Sequence, residues 1–369
     1  MSLDPALAAV RLAVRRGLGI LADGEGGVWA PDLKDSVMVA CSGGADSLAL
    51  LAATIFEAHK LPVKVIGVTI DHGLQDGSAE HAARVVEQMA TLGADETATI
   101  RVTVDPGPAG IEAGAREARY AALSQLAEHF SNEFVLLGHT LDDQAESVLL
   151  GLARGSGGRS LQGMRAGFRR NEGEPAFVPF RSRTEDGPDG PTTYSLGHRE
   201  YRHSTYFMRP ILGITRAQTQ AACRAEGIEW WDDPQNVDPR FLRARVRHTV
   251  MPLLERELGP GIAQALARTA EQLRADMGEI EWRAAAALDV ARIDGGIDCE
   301  RIETEGTAIF TRVLRLAAIE AGAIASELSY EHVRAIWHAT PGKDIQLPGH
   351  VTAHRTGELV LFKPTVTPK

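Results

Sequence analysis

Six consecutive residues carry the clearest chemical potential: Ser42-Gly43-Gly44-Ala45-Asp46-Ser47, set between a short apolar run and a helical pattern. Glycines let a backbone approach an anion closely. A helix N-terminus offers free N–H groups and a partial positive charge. Ser42 and Ser47 add hydroxyl donors. Asp46 repels phosphate unless a cation lies between them, and Mg2+, held by a carboxylate plus phosphate oxygens, is the natural mediator. Other phosphate loops fit less well. No Walker string is present, Gly155-Ser156-Gly157-Gly158-Arg159-Ser160 follows a helix and ends in Ser, and there is no Gly-x-Ser-x-Gly elbow. A plain strand-to-helix turn would not require two serines, two glycines and an aspartate together.

Asp71, His139, Asp142 and Asp143 fall at the expected carboxyl ends of strands. In an open α/β sheet the ligand crevice lies there. Asp143 and Glu146 are three apart on a helix and share a face. They could hold the ammonium of a free amino acid, or a metal; an acidic first turn favoured by the helix dipole is the plainer account. His139 could orient or deprotonate a reacting group. Arg116 and Arg119 are spaced to meet phosphate or RNA, or to pair with Glu112 and Glu117. Trp230-Trp231 reads as core or hinge packing before it reads as a base-stacking platform.

Two arginine clusters suit a phosphate backbone. One holds Arg154, Arg159, Arg165, Arg169 and Arg170 with no acidic residue between 151 and 170; the other holds Arg240, Arg243, Arg245, Arg247 and His248. They stand out in a chain of 369 residues with a formal net charge of −10, which is not built as a general nucleic-acid coat. The three cysteines form no Cys-x-x-Cys pair, so neither a disulfide framework nor a zinc ribbon is indicated. No apolar run is long enough to span a bilayer, and the first residues do not form a secretory leader. A reducing, cytoplasmic compartment is expected.

The elements that must position these residues alternate. A leading helix is expected from Pro5 to about Ile20. Strands follow at Ser36–Cys41, Lys64–Ile70, Thr99–Val104 and Phe134–Leu137. Helices are expected at Asp46–His59, Ser78–Leu92, Ile111–Phe130 and about Asp142 to Ala153. Apolar strands alternating with amphipathic helices imply an α/β fold, a doubly wound parallel sheet covered on both faces. Gly155 to about Arg202 reads as a long loop or insertion. Tyr206–Pro210 suits a last strand, and Thr215–Glu226 a helix capped by Thr215. Helical periodicity runs from Arg243 to His338, and the tail from Asp344 to Lys363 is β-like. This divides the chain near Asp238, into an α/β domain at 1–238 and a mainly helical domain with a short β-like end at 239–369.

The loop resembles the pyrophosphate-binding loop of the N-type ATP pyrophosphatases. Further strings resemble one member, the tRNA(Ile)-lysidine synthetase family. They are Asp71-His72-Gly73-Leu74, Glu112 to Tyr120, Gly138-His139-Thr140-Leu141-Asp142-Asp143-Gln144-Ala145-Glu146, Arg154-Gly155-Ser156-Gly157, Leu161-Gln162-Gly163-Met164, Arg209-Pro210-Ile211-Leu212, and Asp233-Pro234-Gln235-Asn236 leading into Arg243, Arg245, Val246, Arg247 and then Met251-Pro252-Leu253-Leu254. The likeness runs from about Ser36 to Leu254. It departs at Thr140, where a second His is common, at Ser160, where Gly is common, and in the long segment Gly167 to Thr205.

The resemblance implies a two-step ligation with ATP and Mg2+. The C2 oxygen of the wobble cytidine in a CAU-anticodon tRNA(Ile) is adenylated, releasing pyrophosphate. The ε-amine of L-lysine then displaces AMP and leaves lysidine. It implies ATP contacts from Ser42, Gly43, Gly44, Ala45, Asp46, Ser47, Asp71 and His72, with Asp46 also at the metal. It further implies catalytic roles for Asp46, Arg116, His139, Asp143 and Glu146, with the last two receiving lysine. Arg119, Arg154, Arg159, Arg243, Arg245 and Arg247 are the expected tRNA contacts. A homodimer stays open. The rivals are a tRNA thiolase with the same loop, disfavoured by the unpaired cysteines, and a non-catalytic tRNA-binding protein.

Overall fold

The computed structural model describes residues 3–19, 35–71, 73, 77–102, 111–155, 157–170, 183–187, 190–194, 205–325 and 327–365. In chain order, α1 (Pro5–Gly17) precedes β1 (Ser36–Ala40), α2 (Ala45–Ala58), β2 (Lys64–Asp71), α3 (Ser78–Thr91) and β3 (Glu96–Arg101). Then come α4 (Ile111–His129), β4 (Phe134–Leu137), α5 (Leu141–Arg154), α6 (Gly158–Leu161), β5 (Gly167–Arg170), β6 (Arg183–Gly187), β7 (Gly190–Tyr194), β8 (Thr205–Met208) and α7 (Arg216–Ala225). The remainder is α8 (Leu242–Arg245), α9 (Met251–Leu258), α10 (Ile262–Ala291), β9 (Arg292–Ile293), β10 (Gly296–Asp298), α11 (Thr307–Glu320), α12 (Tyr330–Trp337), β11 (Asp344–Leu347), β12 (Val351–Thr356) and β13 (Leu359–Pro364).

These elements pack as two compact units. The first is Met1–Glu146 with Met164–Gln264; the second is Ser147–Gly163 with Ala265–Lys369. The division at Asp238 expected from composition therefore falls inside the first unit. No helix among the described residues is long and apolar enough to cross a membrane.

The first unit holds a six-stranded sheet in the order β3-β2-β1-β4-β8-β5. Strands β1 to β4 and β8 run parallel, with Met38 opposite Val135 and Ile66 opposite Glu96. The edge strand β5 is antiparallel to β8, so the sheet is mostly rather than wholly parallel. Alternate residues of one strand enter different cores, which is what a strand covered on both faces requires. Val37 and Val39 join the core with residues of α1, α2 and α7, while Met38 joins the core with residues of α4.

The chain departs from β1 to β2 and β3 on one side and returns to β4 on the other. The switch point therefore lies between the carboxyl ends of β1 and β4. Gly138, at the end of β4, shows how tightly that point is closed. A Cβ there would lie 3.0 Å from Ser47 Cα and 3.1 Å from Ser47 N, in the first turn of α2.

The expected third strand begins earlier, at Glu96, because its edge position tolerates the polar residues Glu96 and Thr97. The expected loop after Gly155 contains α6, β5 and the antiparallel pair β6–β7, with Arg183 opposite Tyr194. The second unit carries more sheet than its sequence suggested. Strands β9 and β10 join the tail in a five-stranded sheet, β11-β12-β13-β10-β9, over a core that includes Leu288, Val313, Leu314 and Ile336.

Gly138→Ala should push the first turn of α2 off the end of β4. The expected loss is about 1–3 kcal/mol, the cost of overpacking a close contact, read by denaturant unfolding. An unchanged midpoint would show that this approach is not tight.

Candidate active site

The loop after β1 is built to hold itself open. Gly43 has φ +81°, and a Cβ there would lie 2.7 Å from Val85 Cγ2, so a glycine is required on both counts. Ser42 is exposed, and Gly44 caps α2 with extended backbone. Ser47 is not the free donor its sequence position suggested. Its hydroxyl accepts from the Ser42 N–H at 3.1 Å and donates to the Gly44 carbonyl at 2.9 Å, so it shapes the loop from within.

Two neighbouring segments brace the loop. His81 Nε2 lies 3.0 Å from the Ser42 carbonyl, and the Trp231 N–H donates to the Gly43 carbonyl at 2.9 Å. The Trp231 ring sits 3.9 Å from the His81 ring, while Trp230 packs on the core of α1, α2 and α7. The pair serves packing in this structure, and it does so at the loop.

Asp46 turns its carboxylate toward α7. Thr219 donates its hydroxyl to Oδ1, and Arg216 Nε lies 3.4 Å from Oδ2. Burial raises the Asp46 carboxyl above the ordinary range, against the lowering effect of Thr219 and Arg216. Asp71 ends β2 and is also buried. One oxygen accepts from the Gly73 N–H at 2.8 Å, and the other lies 3.5 Å from Arg101. His72 lies outside the described residues.

The first turns of α5 bring Asp143 and Glu146 to the same place. Both are buried, at 8% and 1% exposure, and so are not the solvated acidic turn that the dipole alone would explain. Asp143 Oδ2 accepts from the backbone and hydroxyl of Thr140, at 2.9 and 3.0 Å. Its Oδ1 faces Arg216 at 3.0 Å and Arg247 at 3.1 Å. Glu146 faces Arg243 at 2.9 Å and Arg247 at 2.7 Å, and Arg216 at 3.6 Å. Burial opposes ionisation of Asp143, yet Arg216, the Thr140 N–H and Arg243 together hold its carboxyl below the ordinary range. Burial lowers Arg216, but the carboxylates of Asp143, Asp46, Glu146 and Asp142 raise it overall.

This changes the reading of the second arginine cluster. Arg243 and Arg247 are not an open stripe; they face buried carboxylates. Arg245 donates to the Pro239 and Arg240 carbonyls, and Arg240 pairs with Asp238, so both stabilise their own turn. Arg116 and Arg119 are exposed on α4, and Arg116 lies over the Tyr120 ring at 5.6 Å. Arg154 and Arg159 are exposed and belong to the second unit, where Arg159 lies 3.8 Å from Glu281.

His139 follows β4 and accepts at Nδ1 from Arg209 Nε at 3.1 Å. Arg209 is buried and also donates to the Arg165 carbonyl and the Tyr120 hydroxyl. An acceptor Nδ1 puts the imidazole proton on Nε2. Burial, then Arg209, lowers the His139 pKa from 6.5 to about 3. His139 is therefore a neutral ring with one N–H to offer, and not a base poised near neutrality.

Sequence reasoning missed Arg216, Thr219, Arg209 and His81. Arg209 stands in a quoted string, and Arg216 directly follows a recognised cap, but no periodicity links either residue to α2 or α5. No group of three or more His, Cys, Asp or Glu that could hold a metal occurs among the described residues. Cys41 and Cys223 are buried with their thiols pushed up by burial, and Cys299 lies in the core of the second unit.

A family profile described as a PP-loop domain matches residues 26–254. The chain is 42% identical to the tRNA(Ile)-lysidine synthase of Salinispora arenicola, over 98% of both chains. It is also 42% identical to that of Streptomyces coelicolor, over 98% of this chain and 99% of the other. Among solved structures, a U34-tRNA thiolase, NcsA, from Methanococcus maripaludis with its [4Fe-4S] cluster shares the fold. Its TM-score is 0.50 at 16% identity, over 73% of this chain and 79% of that one.

A histidine-resolved NMR titration tests the His139 assignment. The ring should show the Nε2–H tautomer and no protonation over about pH 5 to 8. The unfolded ring takes up a proton near 6.5 and the folded one only near 3. Its contribution to stability is therefore intact above the first value and lost as pH falls toward the second. A His139 signal titrating near 6.5 would falsify the assignment.

Proposed function

Because this chain belongs to the tRNA(Ile)-lysidine synthase family, and is thus an ATP-using, tRNA-modifying ligase, we propose a role for each part of its site. The C2 oxygen of the wobble cytidine in CAU-anticodon tRNA(Ile) attacks the α-phosphorus of ATP, and pyrophosphate leaves. The ε-amine of L-lysine then adds at C2, gives up a proton, and AMP departs with the former carbonyl oxygen. A cytosine oxygen is a poor leaving group and AMP a good one, which is why the first step precedes the second.

The loop Ser42–Ser47 cradles the leaving pyrophosphate with its backbone N–H groups and the Ser42 hydroxyl. Asp46 is the residue that would hold Mg2+, which would supply charge neutralisation at the departing pyrophosphate. The donor set fits such an ion: a single carboxylate, partly solvent-accessible at 22%, beside an anion-binding loop. His139 donates its Nε2–H to an oxygen of the nucleotide or of the reacting base. Arg116, exposed on α4, holds the base or the adenylate phosphate.

Asp143 and Glu146 receive the lysine ammonium, in exchange for part of their contact with Arg243 and Arg247. Arg119, Arg154 and Arg159 are exposed and meet tRNA phosphate, whereas Arg243 and Arg247 act first as counter-ions of the buried carboxylates and Arg245 holds its own turn. We place the reaction in the cytoplasm, with its tRNA substrate. A homodimer is compatible with this scheme, and no step requires one.

The observation that carries the reading is the meeting of an anion loop with a buried carboxylate pair in one unit. Arg216 contacts both, at 3.4 Å to Asp46 and 3.0 Å to Asp143. A binding module would gain nothing from burying those charges. Sulfur transfer would need accessible low-pKa thiols, and the thiols of Cys41, Cys223 and Cys299 are all raised by burial.

The deciding assay is pyrophosphate release from ATP with Mg2+ and unmodified tRNA, with labelled lysine followed into RNA. tRNA-dependent release with lysine incorporation is expected. Release without incorporation would redirect the reading to another nucleophile. In the same assay Asp46→Ala should abolish release. Glu146→Ala should raise the lysine KM roughly 10–100-fold, the size of a lost charge-assisted contact. An unchanged lysine dependence would remove Glu146 from the amine pocket.

A further inference from the structure

We infer that Arg216 is a positioning residue shared by the two halves of the site. Its guanidinium fixes the phosphate-loop carboxylate and the amine-pocket carboxylates relative to one another. The inference deepens the reading above and rests on it.

Each of the three guanidinium nitrogens of Arg216 faces a different carboxylate. Nε lies 3.4 Å from Asp46 Oδ2, Nη2 3.0 Å from Asp143 Oδ1, and Nη1 3.6 Å from Glu146 Oε1. Those carboxylates belong to α2 and α5, while Arg216 opens α7. Of the three arginines around the amine pocket, Arg216 is the one whose described contacts include Asp46. A planar fork reaches three acceptors from three separate nitrogens in fixed directions; an ammonium must donate from one nitrogen and cannot hold the same spacing.

The main chain of Arg216 is pinned independently of its side chain. Thr215 and Gln218 form a reciprocal capping box that fixes the start of α7. The Arg216 N–H donates to Asp142 Oδ2 at 2.8 Å, so α5 also holds the helix end. One turn on, Thr219 lies on the same face and gives its hydroxyl to the other oxygen of Asp46. Helix α7 thus grips Asp46 at both oxygens, through Thr219 alone on one side and through the shared Arg216 on the other. Cys223 continues the contact, lying 3.4 Å from the Ala45 carbonyl.

This arrangement separates the effects of the two residues. Thr219 touches the ATP side only, so its loss should slow adenylation. Arg216 touches both sides, so its loss should slow adenylation and weaken lysine recognition together. A merely structural role would lower the amount of folded protein and leave the lysine KM alone.

The test uses the full-length enzyme and measures two quantities: tRNA-dependent pyrophosphate release in a lysine-free single turnover, and the lysine concentration dependence of lysine incorporation. Arg216→Gln should slow release by about tenfold or more and raise the lysine KM by a similar factor. Thr219→Val should slow release while the lysine KM stays within about twofold of wild type. Arg216→Lys keeps the charge, and should keep the melting temperature while recovering only part of each loss. These two milder variants carry the test where Arg216→Gln fails to fold.

Three results overturn the inference: a change in only one half-reaction with Arg216→Gln, full wild-type behaviour of Arg216→Lys, or equal loss of both rates with unaltered KM values. A wild-type enzyme without tRNA-dependent release overturns the reading beneath it, and is told apart because it fails before any variant is compared.

Discussion

Carboxylates from two helices cannot be buried side by side unless cations are buried with them. Asp46, Asp143 and Glu146 face Arg216, Arg243 and Arg247, and the site takes its form from that requirement. Such a cluster is a poor source of stability, since apolar residues of similar volume often do as well, and removing one partner strands a charge at a cost of about 3–5 kcal/mol. Its retention at the switch point of the sheet makes sense as chemistry. It keeps the Asp143 carboxylate ionised and orients the acceptor oxygens in a place from which water is largely excluded, beside a loop that presents donors.

The same requirement accounts for the helix that delivers two of the arginines. Between Val246 and Val250 the run from Leu242 to Leu258 widens into a π turn, closed by the Met251 N–H on the Val246 carbonyl. Pro252 has no N–H to give to the residue four before it, and its ring would crowd that carbonyl. The wide turn absorbs this conflict, and π turns of this kind recur at functional sites. Arg243 precedes the turn and Arg247 lies within it, yet both reach Glu146. A sequence pattern can suggest that residues four apart share a face. It does not show that the face is turned inward toward a glutamate 97 residues earlier.

That difference marks what was legible in the residues. The alternation of apolar runs and amphipathic helices gave β1, α2, β2, α3 and β4 within a residue or two, because strands buried on both faces leave little choice of composition. The loop at Ser42 was legible because glycine at φ +81° and a helix start are local properties. Asp143 and Glu146 were legible as a pair through their spacing. Their counter-ions were not, because Arg216, Arg243 and Arg247 lie 73, 97 and 101 residues away and meet them only through the sheet. Read locally, an arginine-rich segment looks like an RNA surface; the tertiary fold turned two of its members toward carboxylates. Ser47 was misjudged for a related reason. A hydroxyl beside a turn has backbone partners close by, and it bonded to those.

The arginines also divide the labour of the titratable groups. Around His139 and Asp143 one environment acts in opposite directions. Burial lowers the imidazole and Arg209 lowers it further, so the ring is neutral with its Nε2–H available. Burial would raise the aspartate, but Arg216 and Arg243 overcome it, so the carboxylate is ionised. Groups whose proton affinities are pushed apart in one crevice can act as donor and acceptor at the same pH. A ligation that first stabilises charge on departing phosphate and then handles an ammonium needs both kinds of group within one site. Guanidiniums supply both, Arg209 beside His139 and Arg216 with Arg243 beside Asp143, because each one disfavours a proton on whatever group it faces.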